Sequence, residues 1–300
     1  MPVNRKKSGF IRRTCGGLTL MELLITLAII SMLVGLLLPA FSAVRKAARE
    51  VKQKAQLTGI ELALGAFKND YGDYPPSNLD NKYCGSQKLA EALLGRDLMG
   101  FHPKSTWSAT DPTWYPDPAV TPPPAFESNL KERKGPYLEL ATANVFRLGD
   151  SSAGDGLFDS TNNWLAPDRY VICDVFGIKK ITLPPGKTAV AGTPILYYKA
   201  NTSSKTMVND PTKFDSNIYN IRDNGFLVSL GRITDGAPHP LVESAVFYGN
   251  PSANPPVIGY IQDPKVTAWP WPYRPDSYIL ISAGADGFYG TPDDIRNFGY

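Results

Sequence analysis

Histidine and cysteine are scarce in this chain, at two and three residues among 300. That leaves little from which to build a zinc site, whose ligands are mostly His and Cys. A strong basic excess is missing too. The formal net charge is only +3, whereas nucleic-acid binders carry clustered positive charge, so no nucleic acid is expected as a partner. No G-x-S-x-G, H-E-x-x-H or glycine-rich phosphate loop occurs, which removes the commonest local signatures of hydrolases, zinc proteases and nucleotide enzymes. Gly149-Asp150-Ser151-Ser152-Ala153-Gly154 imitates a hydrolase string without its strand–turn–helix context. His102 and His239 each adjoin a proline and read as loop residues. The chain therefore reads as a non-enzyme. Aromatic residues, at 11%, suffice to seed a core. The 26 Gly and 27 Pro imply many loops, without the period of collagen.

Charge is unevenly placed. The first 17 residues contain Arg5, Lys6, Lys7, Arg12 and Arg13 and no acid. From Leu23 to Phe41, LLITLAIISMLVGLLLPAF, nineteen residues carry no charge. At about 1.5 Å per residue such a helix is roughly 28 Å long, enough to span a bilayer. Basic residues before a span keep that end cytoplasmic, so the remainder is expected outside the membrane. A secretory signal has an apolar core of only about 7–15 residues. Arg12-Arg13 lacks the rest of a twin-arginine signal, and Cys15 lacks the apolar residues that precede a lipoprotein cysteine. A plain signal anchor is one reading. Glu22, at the mouth of the apolar run, does not suit it, because an ionised carboxylate entering hydrocarbon is costly and marks a functional position.

The string Gly17-Leu18-Thr19-Leu20-Met21-Glu22, after a basic leader and before LLITLAII, resembles the class III signal of type IV pilins and type II secretion pseudopilins. Pro39, late in the apolar helix, also fits that family; Leu18 stands where phenylalanine is commoner. The resemblance implies cleavage by a prepilin peptidase after Gly17, N-methylation of the new terminus at Leu18, and a role for Glu22 in assembly. A new α-amino group is largely protonated at neutral pH. Glu22 of one subunit can pair with that group on a neighbour, and the pair sets a register between helices whose lone charges would be expensive. Residues 1–17 are thus a leader, 18–43 a transmembrane and assembly helix, and 44–300 a pilin-like globular domain.

The helix should run on. Leu57, Ile60, Leu64, Phe67 and Tyr71 recur at spacings of three and four, one amphipathic face. Gly72 and Pro75-Pro76 then stop it, so one helix is expected from Leu20 to near Tyr71. Arg45, Lys46, Arg49, Lys52 and Lys54 follow the apolar run and read as a solvated face meeting lipid headgroups, with filament contacts the alternative. A short helix is expected over Leu89–Leu94. Strands are expected at Arg169–Val175, Ile195–Lys199, Phe226–Gly231, Val242–Tyr248 and Tyr278–Ser282, which are apolar and aromatic runs bounded by Gly and Pro. Stretches near 100–136 and 200–265 read as loop-rich insertions.

FKNDYGDYPPS, LAEALLG, DVFG, PILYYK and YILISAGADGFYGTPDDI resemble, in turn, the helix exit, second helix, strand pair and final strand with calcium loop of the major pseudopilin branch. The fold so implied is α+β, a long N-terminal helix laid on an antiparallel sheet. In the last string Asp286, Asp293 and Asp294 crowd three carboxylates into nine residues beside Gly287, Gly290 and Ser282. Read alone, this is a solvated Asp-Gly turn or a Ca²⁺ loop, since calcium takes six to eight oxygens from carboxylates and carbonyls. The resemblance implies calcium, with carbonyls near Ser282 and Phe288 completing the shell. Asp150 to Asp159 reads as an exposed acidic turn. Cys84 and Cys173 are either a disulfide in an oxidising space or two buried thiols. Trp107, Trp114, Trp269 and Trp271 are either core packing or a carbohydrate platform.

These readings give a structural subunit of a type II secretion pseudopilus. Its partners would be the prepilin peptidase, other pseudopilin or pilin subunits and an inner-membrane assembly platform. It would cross the inner membrane once, its globular domain periplasmic. A type IV pilin for adhesion, motility or DNA uptake is the neighbouring alternative; a membrane-anchored extracellular enzyme or carbohydrate binder is the remote one.

Overall fold

Helix α1 runs from Leu20 to Tyr71, 52 residues without a break, in a computed structural model that describes residues 19–80, 82–110, 113–149, 154–158, 165–183 and 186–299. The chain divides into two units, Met1–Ala48 and Arg49–Tyr300. Within the second, α1 buries Gln53, Leu57, Ile60, Leu64 and Phe67, with Tyr71 half-buried. These are the spacings that place side chains on one helical face. Gly72 ends the helix at φ +85, a left-handed conformation that glycine adopts without strain, and its N–H reaches the Lys68 carbonyl at 2.7 Å.

The remaining elements are short. In chain order they are α2 (Gly85–Leu94), α3 (Pro123–Glu132), α4 (Leu140–Ala143), β1 (Val145–Gly149), β2 (Gly156–Phe158), β3 (Tyr170–Ile172), β4 (Lys179–Leu183), β5 (Lys187–Ala191) and β6 (Leu196–Lys199). Then come α5 (Gly225–Ser229), α6 (Ser244–Tyr248), β7 (Gly249–Asn250), β8 (Val257–Ile258), β9 (Tyr278–Ser282) and β10 (Ile295–Arg296), with three 3₁₀ turns among them. The order β10-β9-β6 forms an antiparallel sheet, with Tyr197 opposite Leu280 and Ile295 opposite Ser282. A second sheet, β2-β1-β3, contains one parallel pair, β1 with β2. Strands β4 and β5 make a hairpin between Gly177 and Pro194, and β7 pairs β8. The expected single sheet is thus divided into small ones.

The α1 face packs on β10-β9-β6. Leu57, Ile60, Leu64 and Phe67 share a core with Leu89 and Leu93 of α2 and with Tyr197, Tyr278, Leu280 and Ile295 of that sheet. Every residue of α2 is buried, because the helix lies between α1 and the strands rather than on the surface. Phe67 lies at the centre of an aromatic cluster, its ring centroid 4.7 Å from Tyr71, 5.1 Å from Phe101 and 5.9 Å from Tyr137.

Two strand expectations are corrected. Phe226 to Ser229 belong to helix α5, and Val242 ends a 3₁₀ turn that is followed by α6 from Ser244 to Tyr248. In both, neighbouring residues are buried together, Leu227 with Val228 and Phe247 with Tyr248. A strand would send adjacent side chains to opposite faces. The loop-rich stretch from 200 to 265 also contributes to the core. Met207, Phe214, Ile218, Tyr219, Ile221, Leu241, Phe247 and Ile261 form a large part of the second core, against Leu196, Tyr198, Ile279 and Ile281. The stretch near 100–136 contains α3. Its prolines, read from sequence as loop, occupy the helix start, where a missing N–H costs nothing. The Arg133 guanidinium that follows is almost fully buried and grips both Asp97 oxygens at 2.7 and 2.6 Å.

Candidate functional site

Two sites were expected, one at each end of the chain. Gly17, Leu18, Cys15 and the basic leader lie outside the described residues. From Thr19 onward the geometry is defined. Thr19 Oγ1 accepts the Glu22 N–H at 3.2 Å, and the Thr19 carbonyl accepts the Leu23 N–H at 3.2 Å. Thr19 therefore caps α1, and Thr19-Leu20-Met21-Glu22 has the S/T-x-x-E spacing of a capping box. Glu22 stands in the first turn, where carboxylates interact favourably with the helix dipole, and it is exposed. The first unit presents large apolar side chains outward: Leu20 is 77% exposed, Leu24 58% and Phe41 57%. A surface of that extent needs lipid or partner helices to cover it. Among the described residues no helix is long and apolar enough to cross a membrane; the uncharged run 23–41 includes positions 36, 39 and 40, whose side chains lie outside the described residues. The backbone of α1 continues through Pro39.

At the other end, the terminal loop brings Asp286 and Asp293 together and gives Asp294 other partners. Gly284, at φ +67, starts the turn; a Cβ there would meet the Asp293 carbonyl oxygen at 2.3 Å, so only glycine fits. Asp293 Oδ2 accepts the N–H groups of Ala285 at 2.9 Å and Asp286 at 3.1 Å, and Oδ1 accepts the Thr291 hydroxyl at 2.6 Å. Burial works to raise its pKa, but these hydrogen bonds outweigh burial and hold it below the usual carboxylate range. Burial, and then the adjacent Asp293 carboxyl, raise the pKa of Asp286. The two neighbouring carboxyls are thus shifted in opposite directions, Asp286 up and Asp293 down. Asp294 Oδ2 accepts the Tyr260 hydroxyl and, at 2.8 Å, the Gly290 N–H. Burial pushes its pKa up to about 7. Ser282 is buried in β9, its hydroxyl donating to Asp174 Oδ2 at 3.2 Å, and the Phe288 carbonyl accepts the Thr291 hydroxyl at 3.4 Å. Among the described residues no three His, Cys, Asp or Glu side chains are grouped to hold a metal ion. Two carboxylates with loop carbonyls are the donor set that suits a hard cation.

Cys84 and Cys173 are free thiols, both fully buried. Burial pushes Cys84 up to about 11 and Cys173 well above its ordinary value. Asp155 is not an exposed turn residue; it is buried and pairs with Arg147 at 3.4 Å. Trp107 stacks on Phe101, Trp114 stacks on His102, and Trp269 is 56% exposed.

Sequence reasoning missed Asp174. It is fully buried, and its Oδ1 accepts the N–H groups of Phe176 and Thr193, both at 3.1 Å. With Ser282 on Oδ2, it joins the turn after β3 to β9. Burial raises its pKa well above the usual carboxylate range. The only sequence signal was its place in DVFG, which reads equally well as an ordinary turn.

Residues 12–38 match the family model described as the prokaryotic N-terminal methylation motif. The match covers Gly17, Leu18, Glu22 and most of the uncharged run. No curated protein and no solved structure matches the chain.

Proposed function

We propose, from the class III, prepilin-type signal at residues 12–38 that is typical of type IV pilins and pseudopilins, that this chain is a structural subunit of a type II secretion pseudopilus. A prepilin peptidase removes the leader after Gly17 and methylates Leu18. An inner-membrane platform then adds the subunit to a filament of its own kind or of related subunits. The observation that carries this reading is the junction of Glu22 with one unbroken helix. The signal ends in an exposed acidic first turn, and the same helix supplies the core face of the outer unit. The chain crosses the inner membrane once through 18–43, with Arg49–Tyr300 periplasmic. A type IV pilin shares the signal and differs in its platform. The role is assembly rather than catalysis.

N-terminal sequencing of membrane-extracted protein made alongside a prepilin peptidase should return Leu18 as the first residue. A chain beginning at Met1 would remove the basis of this reading.

For the terminal loop we propose calcium, with Asp286 and Asp293 as its charged ligands and loop carbonyls near Ser282 and Phe288 among the rest. Asp294, held by Tyr260, orders the loop from behind. Ligand at a hundred times its Kd stabilises a fold by about 2.7 kcal/mol. Calcium should therefore raise the melting temperature of the full chain in detergent. Asp286→Asn, which keeps an acceptor for the Phe288 N–H, should abolish that rise while leaving the calcium-free melting temperature nearly unchanged. Identical melting with calcium and with chelator in the wild type would return the loop to a solvated turn.

A further inference from the structure

Within the unit Arg49–Tyr300 a cleft of about 820 Å³ lies along α1. Arg49, Lys52 and Gln56 of α1 form one side; Leu138, Val175 and Val190 contribute an apolar wall. The charged residues among its described lining are Arg49 and Lys52, both cationic, and no carboxylate faces them there. Both are exposed, and neither enters an ion pair among the described residues. Gln56 adds a second, independent observation. Its Nε2 donates to the carbonyl of Cys173 at 2.9 Å and to that of Ala143 at 3.3 Å, which fixes the amide plane. Its Oε1 is buried and meets no donor. A buried acceptor left unpaired is costly.

Each part of this lining selects a chemical group. Two unpaired cations with no opposing acid select an anion. The orphan acceptor selects a hydroxyl donor. The apolar wall selects hydrocarbon or ester beside them. A source for all three is close at hand in sequence: Arg49 lies eight residues past Phe41, the end of the uncharged run.

We propose that this cleft seats an acidic phospholipid whose headgroup carries free hydroxyls, of the phosphatidylglycerol type. Its phosphodiester lies between Arg49 and Lys52, a headgroup hydroxyl donates to Gln56 Oε1, and the glycerol ester end rests on Leu138, Val175 and Val190. This rests on the membrane-anchored reading of the first unit and goes beyond it, because a general basic surface would meet any anionic headgroup without choosing among them.

The test is native mass spectrometry of the full chain, made with a prepilin peptidase and released from detergent. The probe is an equimolar mixture of phosphatidylglycerol, phosphatidylmethanol and phosphatidylcholine with the same acyl chains. The wild type should retain about tenfold more phosphatidylglycerol than phosphatidylcholine, and several-fold more than phosphatidylmethanol, which has the phosphodiester but lacks the headgroup hydroxyls. Arg49→Gln with Lys52→Gln, two exposed positions that should not disturb folding, should bring retention down to the phosphatidylcholine level. Arg45→Gln with Lys46→Gln, outside the cleft, should change it little. Equal retention of all three lipids, or an equal loss in the Arg45 and Lys46 pair, would overturn the cleft. The same spectra give the mass of the N-terminus. A chain still starting at Met1 refutes processing, while the lipid ratios are read independently of it.

Discussion

Glu22→Ala and Glu22→Gln are both expected to yield chains that are inserted in the membrane, cleaved at Gly17 and missing from filaments. Insertion should survive because each change removes a charge at the mouth of an apolar run. Incorporation should fail because the protonated α-amino group of a neighbour loses its partner. Two substitutions are needed because Glu22 does two things. It stands three residues after the capping Thr19, whose Oγ1 holds its N–H, and a lost cap alone costs roughly 1 kcal/mol. Glutamine keeps the polar side chain that a capping box requires and removes only the charge. Sheared filaments, quantified against the membrane fraction, give the answer. If Glu22→Gln assembles normally and Glu22→Ala does not, the residue matters as a cap and the proposed pairing is wrong.

The largest expected loss of stability is at Phe67. Its ring is 2% exposed, within 6 Å of Tyr71, Phe101 and Tyr137. Phe67→Ala should cost about 3–5 kcal/mol, the removed transfer energy plus a cavity that several rigid rings cannot close. For a unit of this size that is a fall of roughly 10 °C in melting temperature. Leu62 is on the same helix but 72% exposed, and Leu62→Ala should stay within about 0.5 kcal/mol. Thermal unfolding of the two variants, followed by tryptophan fluorescence, separates them. Equal melting temperatures would mean that α1 is not held through this face.

Legibility from sequence followed the length of each pattern. Helix α1 could be read to near its end because the face from Leu57 to Tyr71 repeats over about four turns, and Gly72 stops it. Strands β6 and β9 were readable as continuous apolar runs bounded by turns. The runs at 226 and 242 look similar in composition, yet they form single helical turns. Runs of six or seven residues fit either state, and here Leu227, Val228, Phe247 and Tyr248 all enter the one core that contains Tyr198 and Ile279. The weight of the 200–265 stretch in the core could not be read either, because its buried residues come singly or in short groups, such as Ile218-Tyr219 and Phe247-Tyr248, separated by Asn, Asp, Gly and Pro. At the N-terminal site, Glu22 was legible as an anomaly of charge. At the terminal loop the acidic cluster was legible, but the division of labour within it was not. That depends on Tyr260, 34 residues away in sequence, which engages Asp294.

The two buried thiols have a practical consequence. Cys84 and Cys173 lie on different elements, at the entry to α2 and after β3, and neither touches solvent in the folded state. Under the proposed cleavage after Gly17, which takes Cys15 with it, they are the only sulfhydryls left. An alkylating reagent can then reach a sulfhydryl only while the surrounding structure is open, so the rate of modification at each position measures the opening free energy of its own region. The chain carries two built-in clocks of local opening, one beside α2 and one beside the sheet. They can be read by mass in the same sample, with no introduced probe.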